Sequence, residues 1–438
     1  MPKLFPFLFL LRDANMKNRY FSFKKMLLGA LFTTQCLEQS NAQGIGGSKN
    51  QLDGRQNTIT TAVPFLMITP EARGGGMGDV GVATPNDPYA MHWNISKLPF
   101  NDKKGSVGLS YTPWLRSLVP DISLTYLTGY AKVNDRSAVA GSLRYFSMGQ
   151  INFTDQFGQG TGDYTPNEFA LDIGYASKLS DNFSLGVAMR YIRSDLAGAL
   201  NRSQNDVKAG NAFAGDITAY YKNKTKIKLE GKKYTLNYGI GAAATNIGSK
   251  ISYTSKINEN FIPINLRVGG YAQVEIDQYN TLAIALDFNK LLVPSNPVYK
   301  RDSVGDFVYD NDDNLIIERG KDPNPPVIQG MLQSFNDAPN GFKEEMEEIN
   351  ISLGLEYWYD KQFALRSGFF YEPESKGNRK YLTFGAGFRF NVFGLDLSYL
   401  VPIEQRNPLE RTIRFSMLFD LDAFVTQNEE DKKAPINN

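Results

Sequence analysis

The sequence predicts an all-β protein, a transmembrane antiparallel β-barrel of about 14 strands preceded by a plug segment. Three observations predict it. Apolar and small or polar residues alternate with period two over segments about ten residues long, whereas soluble strands centre on five or six. Nowhere after the N-terminal leader is there a run of about 18–20 apolar residues, so a membrane-spanning helix is unavailable. The connections between segments alternate between short and long, as expected when one end of a barrel carries turns and the other carries loops. Two soluble sandwiches would share the alternation alone. Strand length and connection rhythm separate the two.

Residues 1–42 read as a secretory signal. Lys17, Arg19, Lys24 and Lys25 precede the apolar stretch 26–32, and Ser40-Asn41-Ala42 precedes Gln43. Met16 is the expected true start, because the earlier apolar run, Leu4 to Leu11, is short and broken by Pro6. Cys36 follows the apolar core where a lipoprotein cysteine would sit, but Gln35 is too large and polar for that processing. Removal of the leader leaves 41 basic against 44 acidic residues, net −3, and no cysteine, which suits an oxidising compartment. Charges this evenly matched exclude a basic nucleic-acid binder, and one His with one Cys excludes disulfide frameworks and Cys/His zinc sites.

Residues 43–105 form the expected plug or hatch. The stretch 62–68, with Pro64, Phe65 and Leu66, is apolar, and Pro70, Arg73, Gly76, Met77 and Gly78 follow it. Prolines fix the backbone there, glycines permit close packing, and Met77 fills irregular space. Arg73 in such a segment requires a carboxylate in the lumen, and Asp172, Asp287, Glu356 and Asp396 are all expected to face inward.

The barrel occupies 106–421, with strands expected near 106–113, 121–130, 137–149, 167–177, 182–194, 213–227, 233–247, 263–276, 281–290, 349–358, 362–371, 380–390, 392–401 and 411–421. In 183–191 one face carries Phe183, Leu185, Val187, Met189 and Tyr191, and the other Ser184, Gly186, Ala188 and Arg190. Segments 169–175, 382–390, 393–399 and 413–419 repeat the pattern. Glycine and alanine dominate the second face, as a crowded lumen requires. The tail 422–438 is polar and charged.

The connection 291–348 is far longer than ordinary loops. Met331, Leu332 and Phe335, then Phe342, Met346 and Ile349, give two amphipathic turns, with packing over the barrel mouth and partner contact as competing roles. Asp310 to Asn314 resembles a calcium loop only in composition, since the twelve-residue register places Leu315 where Gly belongs and Lys321 where Glu belongs. A solvated acidic turn is expected, and no metal or cofactor.

The run from Ala62 to Ala83, with Asn86-Asp87 and Trp93 to Leu98, closely resembles the opening of the PorV family, outer-membrane proteins of the type IX secretion system in Bacteroidetes. The run from Gly330 to Glu345 looks like that family's segment in the long loop before the last five strands. Asn94-Ile95-Ser96 departs from the family's Asn-Pro-Ala, a local difference in one turn. The resemblance covers the mature chain. It implies a barrel similar to fatty-acid transporters of the FadL type, exported to the outer membrane, with no catalytic task. Family partners would be cargo proteins bound by their C-terminal signal domains, the large translocon barrel, and a sortase-containing attachment complex that joins cargo to lipopolysaccharide. Nucleic acid is not among them. Met331, Phe335, Asp337, Pro339 and Phe342 are the expected partner-contact residues of the long loop.

Two alternatives stay open. One is a FadL-like transporter of hydrophobic compounds, whose sign would be a ligand pocket among the plug apolars. The other is a lipopolysaccharide deacylase built on His92 and Ser96, for which the sequence supplies neither an oxyanion site nor an orienting third group.

Overall fold

A computed structural model describes residues 57–422, apart from 117–118, 120, 155–156, 197–207, 230, 255–258 and 405–406. The signal segment 1–42, residues 43–56 of the plug and nearly all of the tail therefore lie outside the described residues. Fourteen antiparallel strands close into a barrel. They are β1 (Gly105–Pro113), β2 (Ile122–Lys132), β3 (Ser137–Met148), β4 (Asn167–Lys178), β5 (Phe183–Asp195), β6 (Gly210–Leu229) and β7 (Lys232–Gly248). The second half comprises β8 (Asn265–Glu275), β9 (Asn280–Leu291), β10 (Ile349–Tyr359), β11 (Phe363–Tyr371), β12 (Lys380–Phe390), β13 (Phe393–Pro402) and β14 (Ile413–Asp420). Sequence neighbours pair throughout, and β14 closes on β1 with Val107 opposite Phe419.

The alternation read in the sequence sets inside against outside. On β5, Leu185, Val187 and Met189 are exposed on the outer wall, while Ser184, Ala188 and Arg190 are buried in the lumen. The outer wall is an apolar belt, with Ile173 on β4, Ile217 on β6 and Leu365 on β11 all exposed. Closure matters because lipid satisfies no backbone N–H or C=O group, so a sheet edge cannot be left within the bilayer. Connections after even-numbered strands are tight turns, as at Asp360–Lys361, where both residues have positive φ. Connections after odd-numbered strands are loops, two of which carry small hairpins of their own, Ile151–Thr154 with Gly160–Tyr164 and Val298–Tyr299 with Ile317–Arg319. In barrels of this kind the tight turns face the periplasm.

Residues 57–104 run through the lumen. An apolar cluster of Val63, Phe65 and Leu66 with wall residues Phe146 and Ile192 and loop residue Phe261 fills the half nearer the long loops. Met77, Val80 and Val82 pack against Ala283 and Ala285 of β9 farther down. Small residues on the wall make this possible. A Cβ on Gly368 of β11 would lie 2.0 Å from the Met77 carbonyl carbon and 2.1 Å from Gly78 N.

Candidate functional site

Two ionic joints organise the molecule, one holding the plug and one holding the long loop. The first begins at Glu71. Its carboxylate accepts the N–H groups of Arg73 (2.5 Å) and Gly74 (2.7 Å), capping the one-turn helix α1 (Ala72–Gly75), and also the indole N–H of Trp93 (3.0 Å). That cap fixes the start of α1 and aims Arg73 at the wall. Arg73 donates through Nε and Nη2 to both oxygens of Glu356 on β10, each at 2.9 Å, and through Nη1 to Asp87 at 3.1 Å. Glu356 also accepts Arg366 Nε (2.8 Å), and Arg366 passes on to Asp396 (2.7 Å), which Arg389 completes at 2.6 Å. Three guanidinium groups thus meet three carboxylates, and the fourth carboxylate, Glu71, is held by N–H groups alone. Of the four inward carboxylates offered by the sequence, Glu356 is the one that pairs with Arg73. Asp172 binds Arg190 at 2.6 Å, and Asp287 accepts the backbone N–H groups of Gly81 (2.8 Å) and Val82 (2.9 Å).

Backbone bonds complete the attachment. Arg144 on β3 donates to Leu66 O (2.6 Å), Arg414 on β14 to Thr69 O (3.2 Å), and the Tyr89 hydroxyl to Leu109 O (3.0 Å) and Met417 O (2.8 Å). Phe65, Leu66, Pro70, Arg73, Gly76, Met77 and Gly78 are buried as an internal plug demands, and Pro64 is exposed. Glu71, the cap of the motif, was not singled out by sequence reasoning, although an acidic residue just before Ala-Arg-Gly-Gly is the signal that marks it. Below the plug a vestibule of about 970 Å³ opens at the tight-turn end, reaching from Lys103, Lys361 and Asn391 up to Arg73 and Glu356.

His92 lies in the one-turn helix α2 (Ala90–Trp93) and is buried. Its Nδ1 stands 2.7 Å from Arg144 Nη2, and its ring meets Trp93 edge-on at 4.6 Å. A guanidinium holds donors only, so Nδ1 is the acceptor and the imidazole is neutral. Ser96 Oγ bonds the Asn94 side chain instead, so the structure does not join His92 and Ser96.

The second joint lies beneath the long loop. Two short helices, α3 (Val327–Gln333) and α4 (Phe342–Glu347), sit on the barrel rim. Lys290 at the end of β9 bonds Glu345 (3.2 Å) and Glu348, and Lys376 bonds Glu344 (2.6 Å) and Glu348 (3.0 Å). Asp337 accepts Ser295 N–H (3.1 Å) through one oxygen, while the other is buried without a hydrogen bond. Glu345, Glu348 and Asp337 present oxygens within 4.8 Å of one another. Burial pushes the Asp337 carboxyl up to about 6, with Glu348 and Glu345 adding to the rise. Four carboxylates here face two ammonium groups.

The structure divides the expected contact residues of the long loop between its base and its outer side. Asp337 and Pro339 are buried, and Met331 packs against the apolar cluster of the lumen, because these residues build the base of the loop. Ile349 opens β10 and does not extend the second helix. Phe335 and Phe342 do project outward, and Ile328, Leu332 and Met346 join them. Leu332 is 70% exposed and Phe342 78%. The turn at 310–314 is exposed, with Asp310 accepting the N–H groups of Asp312 and Asn314, each at 2.9 Å.

A sequence model for the type IX secretion system protein PorV matches residues 51–298, over half of the chain. Comparison with curated proteins gives no match. Among solved structures, the toluene transporter TodX of Pseudomonas putida is 13% identical and covers 79% of this chain and 95% of its own, with a TM-score of 0.40. The toluene transporter TbuX of Ralstonia pickettii is 12% identical over 80% of this chain and 96% of its own, at 0.35. A FadL homologue of Pseudomonas aeruginosa is 12% identical over 83% and 99%, at 0.37.

Proposed function

This chain belongs to the PorV family of type IX secretion system proteins, and from that premise we propose that it is a non-enzymatic cargo-handling component of that system in the outer membrane. It binds secreted proteins by their C-terminal signal domains, rests against the translocon barrel, and delivers cargo to the sortase attachment complex. The observation that carries this reading is the exposure of five large apolar side chains on the long loop, Ile328, Leu332, Phe335, Phe342 and Met346. Large apolar side chains gathered on a water-facing loop mark a contact surface. The helix that carries Phe342 and Met346 is fixed from below by Lys290 and Lys376, so little ordering is needed there when a protein partner covers it. The plug supports the same reading: apolar packing and ion pairs close the lumen above the vestibule, and cargo passes beside this barrel, not through it.

The test is the double variant Leu332→Asp with Phe342→Asp, compared with deletion of the gene. Both positions are solvent-facing, so the barrel folds with a stability change within about 0.5 kcal/mol. Mass spectrometry of periplasmic and surface proteins is expected to find cargo still carrying its signal domain, with surface proteins depleted, in both strains. Normal cargo processing in the deletion strain would overturn the secretion role, and normal processing in the double variant alone would overturn Leu332 and Phe342 as its contact. In the first case, uptake of apolar compounds and lipid A masses become the measurements to make. His92 gives the deacylase reading no support, since Arg144 occupies its Nδ1 side.

A further inference from the structure

Two strands are longer than the membrane needs. β6 has 20 residues and β7 has 17, while the others run from 8 to 13. The excess lies at the tight-turn end. β5 last pairs with β6 at Phe183 opposite Tyr221, and β8 last pairs with β7 at Glu275 opposite Thr235. Lys222 still bonds Asn182 through its N–H and C=O, each at 2.8 Å, and from residue 223 to 229 β6 pairs with β7 alone. At the usual strand rise this ribbon is about 25 Å long. Its β6 edge presents backbone donors and acceptors that no neighbouring strand takes up.

The ribbon's two faces differ. Lys222, Lys224, Lys226 and Lys228 continue the inward row of Asp216, Thr218 and Tyr220, and Lys233 of β7 stands directly opposite Lys228. Lys224 lines the vestibule together with its cross-strand partner Asn237. The outer face carries Tyr221, Thr225 and Ile227, with Tyr234, Leu236 and Tyr238 on β7, and the Tyr221 and Tyr238 rings lie 6.5 Å apart. That face suits the lipid interface, where aromatic girdles sit. The lysine face suits water on the barrel axis.

Lys222 has a partner, its ammonium lying 4.8 Å from the Phe100 ring centre. Lys224, Lys226, Lys228 and Lys233 are exposed and form no ion pair with a described residue. Successive lysines on one face lie about 7 Å apart, inside a Debye length of about 10 Å, so they repel one another. Lysines guard a free strand edge against aggregation wherever they point. Guarding does not account for five on the axial face of the ribbon against one, Lys232, on its outer face, nor for lysine set opposite lysine, an unfavourable cross-strand pair.

We propose that this ribbon is a docking site for an acidic, extended segment of a periplasmic protein, which adds to the free edge of β6 with carboxylates at every second residue. Strand addition supplies main-chain hydrogen bonds, and the pleat places alternate side chains on one face. An added strand in register sets its axial carboxylates beside Lys224, Lys226 and Lys228 as cross-strand ion pairs. The row of like charge is then neutralised. Anionic lipid is disfavoured as the occupant, since the face turned toward lipid carries one lysine, Lys232, against five on the axial face.

The test uses the full chain in nanodiscs of zwitterionic lipid and two fluorescent octapeptides of identical composition, one alternating Glu and Thr, the other with four Glu followed by four Thr. Binding is read by anisotropy at low and high salt. The alternating peptide is expected to bind more tightly than the block peptide, to weaken with salt, and to lose about tenfold in affinity for the triple variant Lys224→Gln, Lys226→Gln, Lys228→Gln. Those side chains are exposed, so the variant keeps the barrel. A second variant, Lys226→Pro, removes an N–H donor of the free edge together with one ammonium and is expected to weaken binding more than Lys226→Gln, which removes the ammonium alone. Absence of binding at low salt, equal affinity for both peptides, or undiminished binding to the triple variant would each overturn the proposal. Binding abolished by anionic vesicles but indifferent to peptide sequence would reassign the ribbon to the lipid surface.

Discussion

The joint that holds the plug and the joint that holds the long loop are built from the same kinds of groups in different proportions. In the lumen, Arg73, Arg366 and Arg389 meet Asp87, Glu356 and Asp396, charge for charge, through bidentate and chained contacts of 2.6–3.1 Å. Under the loop, Lys290 and Lys376 meet Glu344, Glu345, Glu348 and Asp337, and one Asp337 oxygen has no hydrogen bond. Guanidinium matches carboxylate geometry and keeps its charge at any accessible pH, whereas an excess of buried carboxylates is relieved by taking up a proton. The arginine chain of the plug is matched charge for charge, with the cap carboxylate of Glu71 beside it held by N–H groups alone; the loop joint carries the larger excess of carboxylate.

The strongest way to break this contrast is to unbalance the plug. Arg73→Ala leaves Glu356 and Asp87 without the group that ties them together. Removing one partner of a buried pair costs about 3–5 kcal/mol, so thermal unfolding in detergent is expected well below that of the parent protein. Replacing Arg73 and Glu356 together by Met removes both charges and restores part of the loss. A double variant no better than Arg73→Ala would refute the pairing as the source of the effect.

Steric fit between plug and wall comes next in size. In Gly368→Ala the new Cβ meets backbone atoms of Met77 and Gly78, which cannot rotate away as a side chain would. The expected cost is about 1–3 kcal/mol, the usual range for overpacking. Gly270→Ala is the control, because its nearest neighbour across the sheet is 3.8 Å away. Equal behaviour of the two variants in thermal unfolding would show that the plug does not press on β11.

The difference between the joints also marks how far sequence carries. The fourteen strands were legible because alternation with period two is local, and most predicted ends fall within two residues of those observed; β6 starts three residues early, at Gly210. That Arg73 needs an inward carboxylate was legible too. Choosing Glu356 was not, since the two residues are 283 positions apart and their meeting depends on the height of α1 within the barrel. The long loop was read as two apolar-edged turns, but a short helix gives no local sign of which flank meets the rim. Met331 therefore turned inward while Leu332, the next residue, faces solvent. Asp337 was placed with the contact residues because its burial arises from Ser295, 42 positions away. The lysines of β6 were in plain view at every second position, and what hid their meaning was that the neighbouring strands stop short.

The smallest effect sharpens the comparison most. With its carboxyl at about 6 in the docked loop, against an ordinary value near 4 when the loop is free, Asp337 binds its proton more tightly in the docked state. Its contribution to docking is thus complete below about pH 4 and is lost as pH rises toward 6. Glu344 acts in the opposite sense: burial alone would raise it, but Lys376 outweighs that and holds it below the ordinary value, so its support fades only at lower pH. Between about pH 4 and 6.5, cleavage within 291–348 by a protease active across that range is therefore expected to speed up in the parent protein, after correction for the protease's own pH profile. Asp337→Asn keeps an oxygen for the Ser295 N–H, adds a donor toward the neighbouring glutamates, and removes the titration. Its cleavage is expected to be slower than the parent's at neutral pH and nearly flat across the window, whereas Arg73→Gln in the plug leaves the slope of the parent unchanged. Parallel profiles for Asp337→Asn and the parent would refute Asp337 as the group that makes the loop joint respond to pH.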